Sequence, residues 1–141
     1  MRYIRIPNDP SLQITEELTI EMWLKPENYS QRRNPINKAY GGEFTLTHEK
    51  NGKVRLYHGT GGGNSQPYKS FSTVASLPLN TWTHIAIVRN HSNGTLSWYV
   101  NGELDNSGTY DFGSNVASLN DVLIGDGYTK GYRGNIDEVR L

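Results

Sequence analysis

Hydrophobic and polar residues alternate with a period of two through most of the patterned segments of the chain. The clearest case is segment 18–24, in which Leu18, Ile20, Met22 and Leu24 share one face. Successive side chains of a β-strand point to opposite faces, so this pattern predicts a strand with one buried side. The same criterion predicts further strands at residues 2–6, 44–48, 53–57, 71–75, 82–88, 95–100, 122–124 and 136–141. No segment has a helical period.

Asn-Gly pairs punctuate these strands at Asn51-Gly52, Asn93-Gly94 and Asn101-Gly102. Both residue types tolerate the positive φ of tight hairpin turns, and the first two pairs each join two predicted strands. We therefore expect an all-β fold, a two-sheet antiparallel jelly-roll sandwich. Residues 28–40, 59–70 and 105–120 are predicted as long loops, where binding residues often lie.

The length, charge and composition of the chain exclude several classes of function. The 141 residues predict a single domain, 1–141, and 14 basic residues balance 14 acidic ones. A net charge of zero provides no general attraction to phosphate backbones, so no nucleic-acid partner is expected. Cysteine is absent, which excludes disulfides and thiolate chemistry. The apolar runs are too short to span a bilayer and none resembles a signal peptide, so we expect no membrane insertion.

The carboxylates and histidines do not form a catalytic pattern. Glycoside hydrolysis needs two carboxylates about 5–5.5 Å or 6.5–9.5 Å apart, whereas the adjacent pairs Glu16-Glu17 and Asp137-Glu138 point to opposite faces of a strand. The four histidines lie in four segments without zinc-ligand spacing. We therefore predict that the protein is not an enzyme.

Aromatic residues are the main indication of a binding site. Trp23, Trp82 and Trp98 lie within strand patterns, so packing in the core or against a sheet is their expected role. Six tyrosines lie in or beside loops rich in Asn, Asp and Gly: Tyr29, Tyr40, Tyr68, Tyr110, Tyr128 and Tyr132. Tyrosine rings with nearby amides and carboxylates suit a sugar, and they also suit a protein partner. The predicted carbohydrate-binding residues are Asn64, Tyr68, Tyr110, Asp111 and Tyr128.

Six segments in order resemble the laminin G-like group of the concanavalin A-like lectin/glucanase superfamily. They are YIRIP at 3–7, LTIEMWLKP at 18–26, NTWTHIA at 80–86, LSWYVNGEL at 96–104, VLIG at 122–125 and GNIDEVRL at 134–141. The resemblance implies two antiparallel sheets, an occasional structural calcium ion, and ligands that are most often glycans or other proteins. It is much more specific for fold than for function.

The last motif, GNIDEVRL at 134–141, contains Asp137, a candidate metal ligand that lies within a predicted strand. Alternation places Asp137 on the same face as Val139 and Leu141. A carboxylate among apolar residues needs a partner. The partner of Asp137 is either a set of backbone N–H groups in a neighbouring loop or a calcium ion. In the second case Asp126, within the segment Gly125-Asp126-Gly127, or a loop carbonyl would complete the coordination shell.

These observations predict a lectin-like binding module for carbohydrate on a cell surface, in a matrix or in a secreted polysaccharide. The alternative is a protein-interaction or structural module, such as a surface or virion decoration domain, that associates through its loops or through an exposed sheet edge, with an oligomer as one outcome. Both predictions imply an extracellular, cell-surface or virion-associated location.

Overall fold

A computed structural model describes residues 2–141 and shows twelve β-strands and two single-turn 3₁₀ helices within them. The strands are β1 (Ile4–Ile6), β2 (Leu18–Pro26), β3 (Arg33–Asn37), β4 (Thr45–His48), β5 (Val54–Gly59), β6 (Tyr68–Ser72), β7 (Thr83–Asn90), β8 (Thr95–Val100), β9 (Glu103–Thr109), β10 (Val122–Ile124), β11 (Lys130–Gly131) and β12 (Gly134–Arg140). The 3₁₀ turns are Pro10–Leu12 and His91–Asn93. None of the helices in this part of the chain is long and apolar enough to cross a bilayer.

The strands form two sheets, which confirms the predicted all-β sandwich. The seven-stranded sheet has the order β1-β10-β3-β4-β5-β6, with β11 added in parallel beside β3. The five-stranded sheet has the order β12-β2-β7-β8-β9. Asn51-Gly52 connects the antiparallel pair β4 and β5, and Asn93-Gly94 connects β7 and β8, as their turn chemistry predicts.

The core lies between the sheets and is built from the inward halves of the alternating strands. Leu18, Ile20, Met22 and Leu24 of β2 are all buried. A row of paired residues crosses the facing sheet from strand to strand: Ile4, Ile124, Ile36, Leu46, Leu56 and Phe71. Trp98 is fully buried, and its indole N–H donates to the Phe71 carbonyl oxygen at 2.9 Å, which ties the two sheets together.

Three strands were not predicted: β3 lies in the predicted loop 28–40, β9 overlaps the predicted loop 105–120, and β11 lies outside every predicted strand. The strand β3 contains Pro35 and the buried polar residues Asn34 and Asn37, so it shows no alternation. The polar strand β9 lies at a sheet edge, and β11 has only two residues. The predicted strand at 71–75 begins and ends earlier, at Tyr68–Ser72. Trp82 precedes β7 and is 42% exposed, so it is not a core residue.

A bulge in β12 overturns the expected environment of Asp137. The pairing with β2 shifts between Asp137 and Arg140, and Glu138 adopts a φ of +49°. As a result Ile136 and Val139 both pack against the core. Asp137 is exposed, and its Oδ1 accepts the N–H of Glu138 at 2.8 Å. The expectation that this carboxylate shares a face with Val139 is therefore wrong.

Candidate functional site

The face of the seven-stranded sheet that points away from the core, called here the outer face, carries a cluster of aromatic and charged side chains. Its residues alternate with the core row and pair across the strands in the order Arg5, Leu123, Asn37, Thr45, Tyr57 and Ser70. In the adjacent row Thr47 pairs with Arg55. The register of β4 and β5 thus directs Tyr57 and Arg55 away from the core, on the opposite side from Val54 and Leu56.

Four tyrosines and one arginine surround a depression of about 300 Å³ on this face, called here the tyrosine pocket. Its residues are Arg32, Tyr40, Tyr57, Tyr68 and Tyr128. The ring centroids of Tyr40 lie 4.8 Å from Tyr128 and 5.4 Å from Tyr68, and those of Tyr57 and Tyr68 are 5.8 Å apart. These are edge-to-face or tilted contacts in the favoured range for aromatic pairs, so the rings support one another.

Hydrogen bonds fix the polar tips of the pocket. The Arg32 guanidinium donates from Nε to Glu49 Oε2 at 2.8 Å, and from Nη2 to the hydroxyl oxygens of Tyr57 and Tyr128 at 2.9 Å each. The Tyr57 hydroxyl donates to Glu49 Oε1 at 2.8 Å, and the hydroxyls of Tyr128 and Thr47 lie 2.9 Å apart. The positions of both rings are therefore set before any ligand arrives.

The network also shifts the pKa values of Arg32, Tyr57 and Tyr128. Burial, followed by the hydrogen bond to Glu49, raises the pKa of Tyr57, and burial raises the pKa of Tyr128. The hydrogen bond to Glu49 raises the pKa of Arg32. Near neutral pH Tyr57 and Tyr128 are thus neutral phenols and Arg32 is a guanidinium cation, which are groups for stacking and hydrogen bonding.

The loop that carries Tyr128 is tied to β3 by one buried amide. Asn34 Oδ1 accepts the backbone N–H of Thr129 at 2.9 Å and its hydroxyl at 2.6 Å, while Asn34 Nδ2 donates to the Leu46 carbonyl oxygen at 2.9 Å. At Gly127 a Cβ atom would lie 2.6 Å from the Asn34 side chain. The glycine therefore permits the close approach that positions Tyr128.

The structure brings together only part of the predicted carbohydrate site. Tyr68 and Tyr128 lie in the tyrosine pocket, and Asn64 lies beside it, where Oδ1 accepts the Tyr40 N–H at 3.4 Å. Tyr110 and Asp111 line a different cavity of about 240 Å³. That cavity shares no lining residue with the tyrosine pocket.

The cavity at Tyr110 opens between the sheets rather than on the outer face. Tyr110 makes an edge-to-face contact with His58 and a tilted contact with Phe112, with ring centroids 5.2 and 5.0 Å away, and packs against the core. Lys69 and Phe71 of β6 complete its wall. The two halves of the predicted site are therefore separate, and the outer face is the more aromatic of the two locations.

Sequence reasoning missed Arg32, Glu49 and Tyr57. Tyr57 lies inside a predicted strand, on the face opposite Val54 and Leu56, so its outward direction was available from alternation alone. Arg32 precedes the unpredicted strand β3, and no local signal marked it.

The two predicted metal ligands are held apart from this pocket. Asp126 lies in the loop between β10 and β11, and Asp137 is exposed on β12 with its carboxylate bonded to the next N–H. Within residues 2–141 no group of three or more His, Cys, Asp or Glu side chains is arranged to hold a metal ion. These two side chains do not form a ready-made calcium cage, and calcium binding stays a prediction.

Comparison with known proteins agrees with this architecture. The family model of the concanavalin A-like lectin/glucanases superfamily matches residues 1–141, which confirms the resemblance drawn from the motifs. Comparison with curated proteins finds no match.

Three similar solved structures illustrate the fold. A putative carbohydrate binding protein from Bacteroides ovatus is 15% identical with a TM-score of 0.75, over 99% of this chain and 41% of that one. Domain 4 of AbnA, a GH43 extracellular arabinanase from Geobacillus stearothermophilus, in complex with arabinotriose, is 23% identical with a TM-score of 0.72, over 98% and 65%. The CBM40 of the Ruminococcus gnavus IT-sialidase is 16% identical with a TM-score of 0.67, over 99% and 89%. The chain thus spans less than two thirds of the first two.

Proposed function

We propose that this chain, which belongs to the concanavalin A-like lectin/glucanases superfamily, is a non-catalytic module that binds carbohydrate in the tyrosine pocket. The observation that carries the proposal is the convergence of four tyrosine rings and Arg32 on one open depression of the outer face. A volume of about 300 Å³ is at the lower end of the range for small-molecule sites.

The chemistry of the pocket suits a sugar ring. One face of a pyranose or furanose presents C–H groups that pack on an aromatic ring, and its edge presents hydroxyls that need hydrogen-bond partners. Tyr40 and Tyr68 supply ring surface, and the Arg32 guanidinium supplies hydrogen-bond donors. Because the tips of Tyr57 and Tyr128 are already bonded, little ordering free energy is lost when a ligand binds.

Similar structures support the carbohydrate assignment. The Bacteroides protein is described as carbohydrate binding, and the Geobacillus domain holds arabinotriose. At these identities the similarity itself establishes only the fold, so the ligand class rests on the pocket. The Geobacillus arabinanase is extracellular, and we propose an extracellular or surface location for this module as well.

Binding without bond cleavage is the activity that fits the carboxylates. Among the described residues that line the tyrosine pocket and contact its network, Glu49 is the single carboxylate, and Arg32 and Tyr57 both bond to it. Acid–base hydrolysis of a glycosidic bond would require a second carboxyl group across the ligand.

A glycan array, run in parallel with calcium and with a chelator, tests the proposal. We expect binding, and we expect Tyr68→Ala to weaken it about three- to tenfold by removing one ring face. Tyr3→Ala is the matched control, because Tyr3 is an exposed tyrosine outside the pocket. Loss of binding on chelation would support the calcium prediction as well. A blank array in both buffers, or equal effects of the two variants, would overturn the proposal.

The protein-interaction alternative makes a different prediction. A module that assembles through its loops or a sheet edge would form a stable oligomer or a complex. Light scattering of the purified chain distinguishes the two: a stable oligomer favours assembly, and a monomer leaves carbohydrate binding as the better proposal.

A further inference from the structure

We infer that the glycan bound by this module is acidic, with a carboxylate or sulfate group held in a second depression beside the tyrosine pocket. This depression of about 420 Å³, called here the basic pocket, is lined by Arg32, Glu49, Lys50, Asn51, Arg55 and Tyr57. Arg32 and Tyr57 also line the tyrosine pocket, so the two depressions have a common wall. The inference rests on the proposed function and extends it to the class of sugar.

The charges of the basic pocket do not cancel. Arg32, Lys50 and Arg55 contribute three cations, and Glu49 contributes one carboxylate. Glu49 is already engaged, because both of its oxygens accept from Arg32 and Oε1 also accepts from Tyr57. Within the described part of the chain, neither Lys50 nor Arg55 forms a salt bridge. Two positive charges are therefore left for a ligand.

This excess is local, because the whole chain has 14 basic and 14 acidic residues. A protein of zero net charge does not attract polyanions in general. An anion is therefore favoured only where its charge meets Lys50 and Arg55. A single acidic sugar next to a stacked sugar fits this pattern better than a nucleic acid does, since a nucleic-acid interface needs an extended basic surface.

A strand and a hydrogen bond hold the Arg55 guanidinium in a position where it can bind an anion. It lies on β5 opposite Thr47, and Nη1 donates to Ser70 Oγ at 3.0 Å. Its Nε is shielded from solvent, whereas Nη2 is not shielded and makes no hydrogen bond within residues 2–141. A guanidinium presents a planar set of donors that match a carboxylate or sulfate in pairs, and such charge-assisted bonds are stronger than neutral ones. An oxyanion would satisfy donors that the protein leaves unused.

The adjacency of the pockets specifies how a ligand would lie. One sugar ring would occupy the tyrosine pocket, and the acidic group of that ring or the next would reach past Arg32 and Tyr57 towards Arg55. Arg32 would contribute to both pockets, because its Nε and Nη2 are bonded to protein groups while Nη1 makes no hydrogen bond within residues 2–141.

Matched oligosaccharides that differ only in charge test the inference. Titration calorimetry would compare tetragalacturonate with its methyl ester, and a sulfated with a desulfated heparin-type disaccharide. We expect the charged member of at least one pair to bind about tenfold or more tightly. The pair that shows the preference identifies the acidic group as carboxylate or sulfate. The preference should weaken in about 0.5 M salt, where charge interactions at an open surface are screened.

Variants of the basic pocket separate this inference from the proposed function. Arg55→Met and Lys50→Met should lower the affinity for the acidic oligosaccharide and leave that for the neutral one unchanged. Lys69→Met is the matched control, because it removes one charge from the same sheet outside the basic pocket. Circular dichroism establishes that each variant is folded.

The outcomes distinguish two kinds of failure. If neutral and acidic glycans bind equally and Arg55→Met changes neither, the acidic-glycan inference is wrong while the carbohydrate module stands. If no oligosaccharide binds and Tyr68→Ala has no effect on the array, the proposed function fails first and this inference falls with it.

Discussion

Lys38 Nζ lies 2.8 Å from Glu43 Oε2 in the interior of the protein, where both side chains are fully shielded from solvent. Four more oxygens surround the ammonium group within 3.2 Å: Asn8 Oδ1, the carbonyl and hydroxyl oxygens of Ser118, and the Asn120 carbonyl oxygen. Glu43 in turn accepts the N–H and the hydroxyl of Ser118. The pair thus fastens the loop before β10 onto the β3–β4 turn, which carries Tyr40 of the tyrosine pocket.

Lys38→Met should destabilise the protein by about 3–5 kcal/mol, because it leaves the Glu43 charge buried without its partner. The double variant Lys38→Met/Glu43→Leu should cost less than the sum of the two single changes. Urea denaturation of the four proteins measures this coupling, with Lys130→Met as a surface control. A strictly additive double variant would show that the ion pair is not coupled.

Tyr128→Phe should lower the free energy of unfolding by about 1 kcal/mol, because its hydroxyl bonds to both Arg32 and Thr47. Tyr68→Phe is the matched comparison, since within residues 2–141 the Tyr68 hydroxyl makes no hydrogen bond. We expect a loss of glycan affinity for Tyr128→Phe and a smaller loss for Tyr68→Phe, whose ring surface is retained. Calorimetry and chemical denaturation give the two readouts. The reverse order of affinities would contradict the preformed network.

Gly127→Ala should displace the loop that carries Tyr128, because the added Cβ would lie 2.6 Å from Asn34. We expect a stability loss of about 1–3 kcal/mol, typical of overpacking, together with weaker glycan binding. Ala117→Ser serves as the control at an exposed position of another loop. Wild-type affinity in a folded Gly127→Ala protein would show that Tyr128 does not depend on this contact.

Acid should destabilise the protein through its buried histidines. Burial, followed by the charge of Arg89, lowers the pKa of His58 to about 3, and burial lowers the pKa of His48 to about 4. In the unfolded chain both would titrate near 6.5, so below that pH the unfolded state binds protons that the folded state does not. Stability is therefore complete above pH 6.5 and falls as the pH decreases towards 4, by at most about 1.4 kcal/mol per pH unit for each histidine.

Denaturation in urea at pH 7 and pH 5 measures this loss. His58→Gln should reduce the difference between the two pH values, whatever its effect on stability at pH 7. His91→Gln, at a half-exposed turn position, is the control for the loss of an imidazole outside the core. An unchanged pH dependence in His58→Gln would falsify the assignment to His58.

Most strands could be predicted from local sequence patterns, whereas buried polar residues with distant partners could not. Alternation located β2, β7 and β8 because each has one buried face, and Asn-Gly pairs located two hairpins. Alternation did not predict β3, because Pro35 interrupts the pattern and Asn34 is a buried polar residue. The Asn34 side chain is hydrogen-bonded to β4 and to the loop after β10. Polar residues that are satisfied by distant partners carry no local signature.

The sequence by itself determined the strands with one apolar face, the tight turns, the balance of charge and the abundance of loop tyrosines, because each of these depends on residues close together in the chain. Only the tertiary structure decided that Tyr40, Tyr57, Tyr68 and Tyr128 meet on one face while Tyr110 turns inward, and that a bulge at Glu138 exposes Asp137. Those outcomes depend on strand order and register, which are set by pairing between segments far apart in sequence.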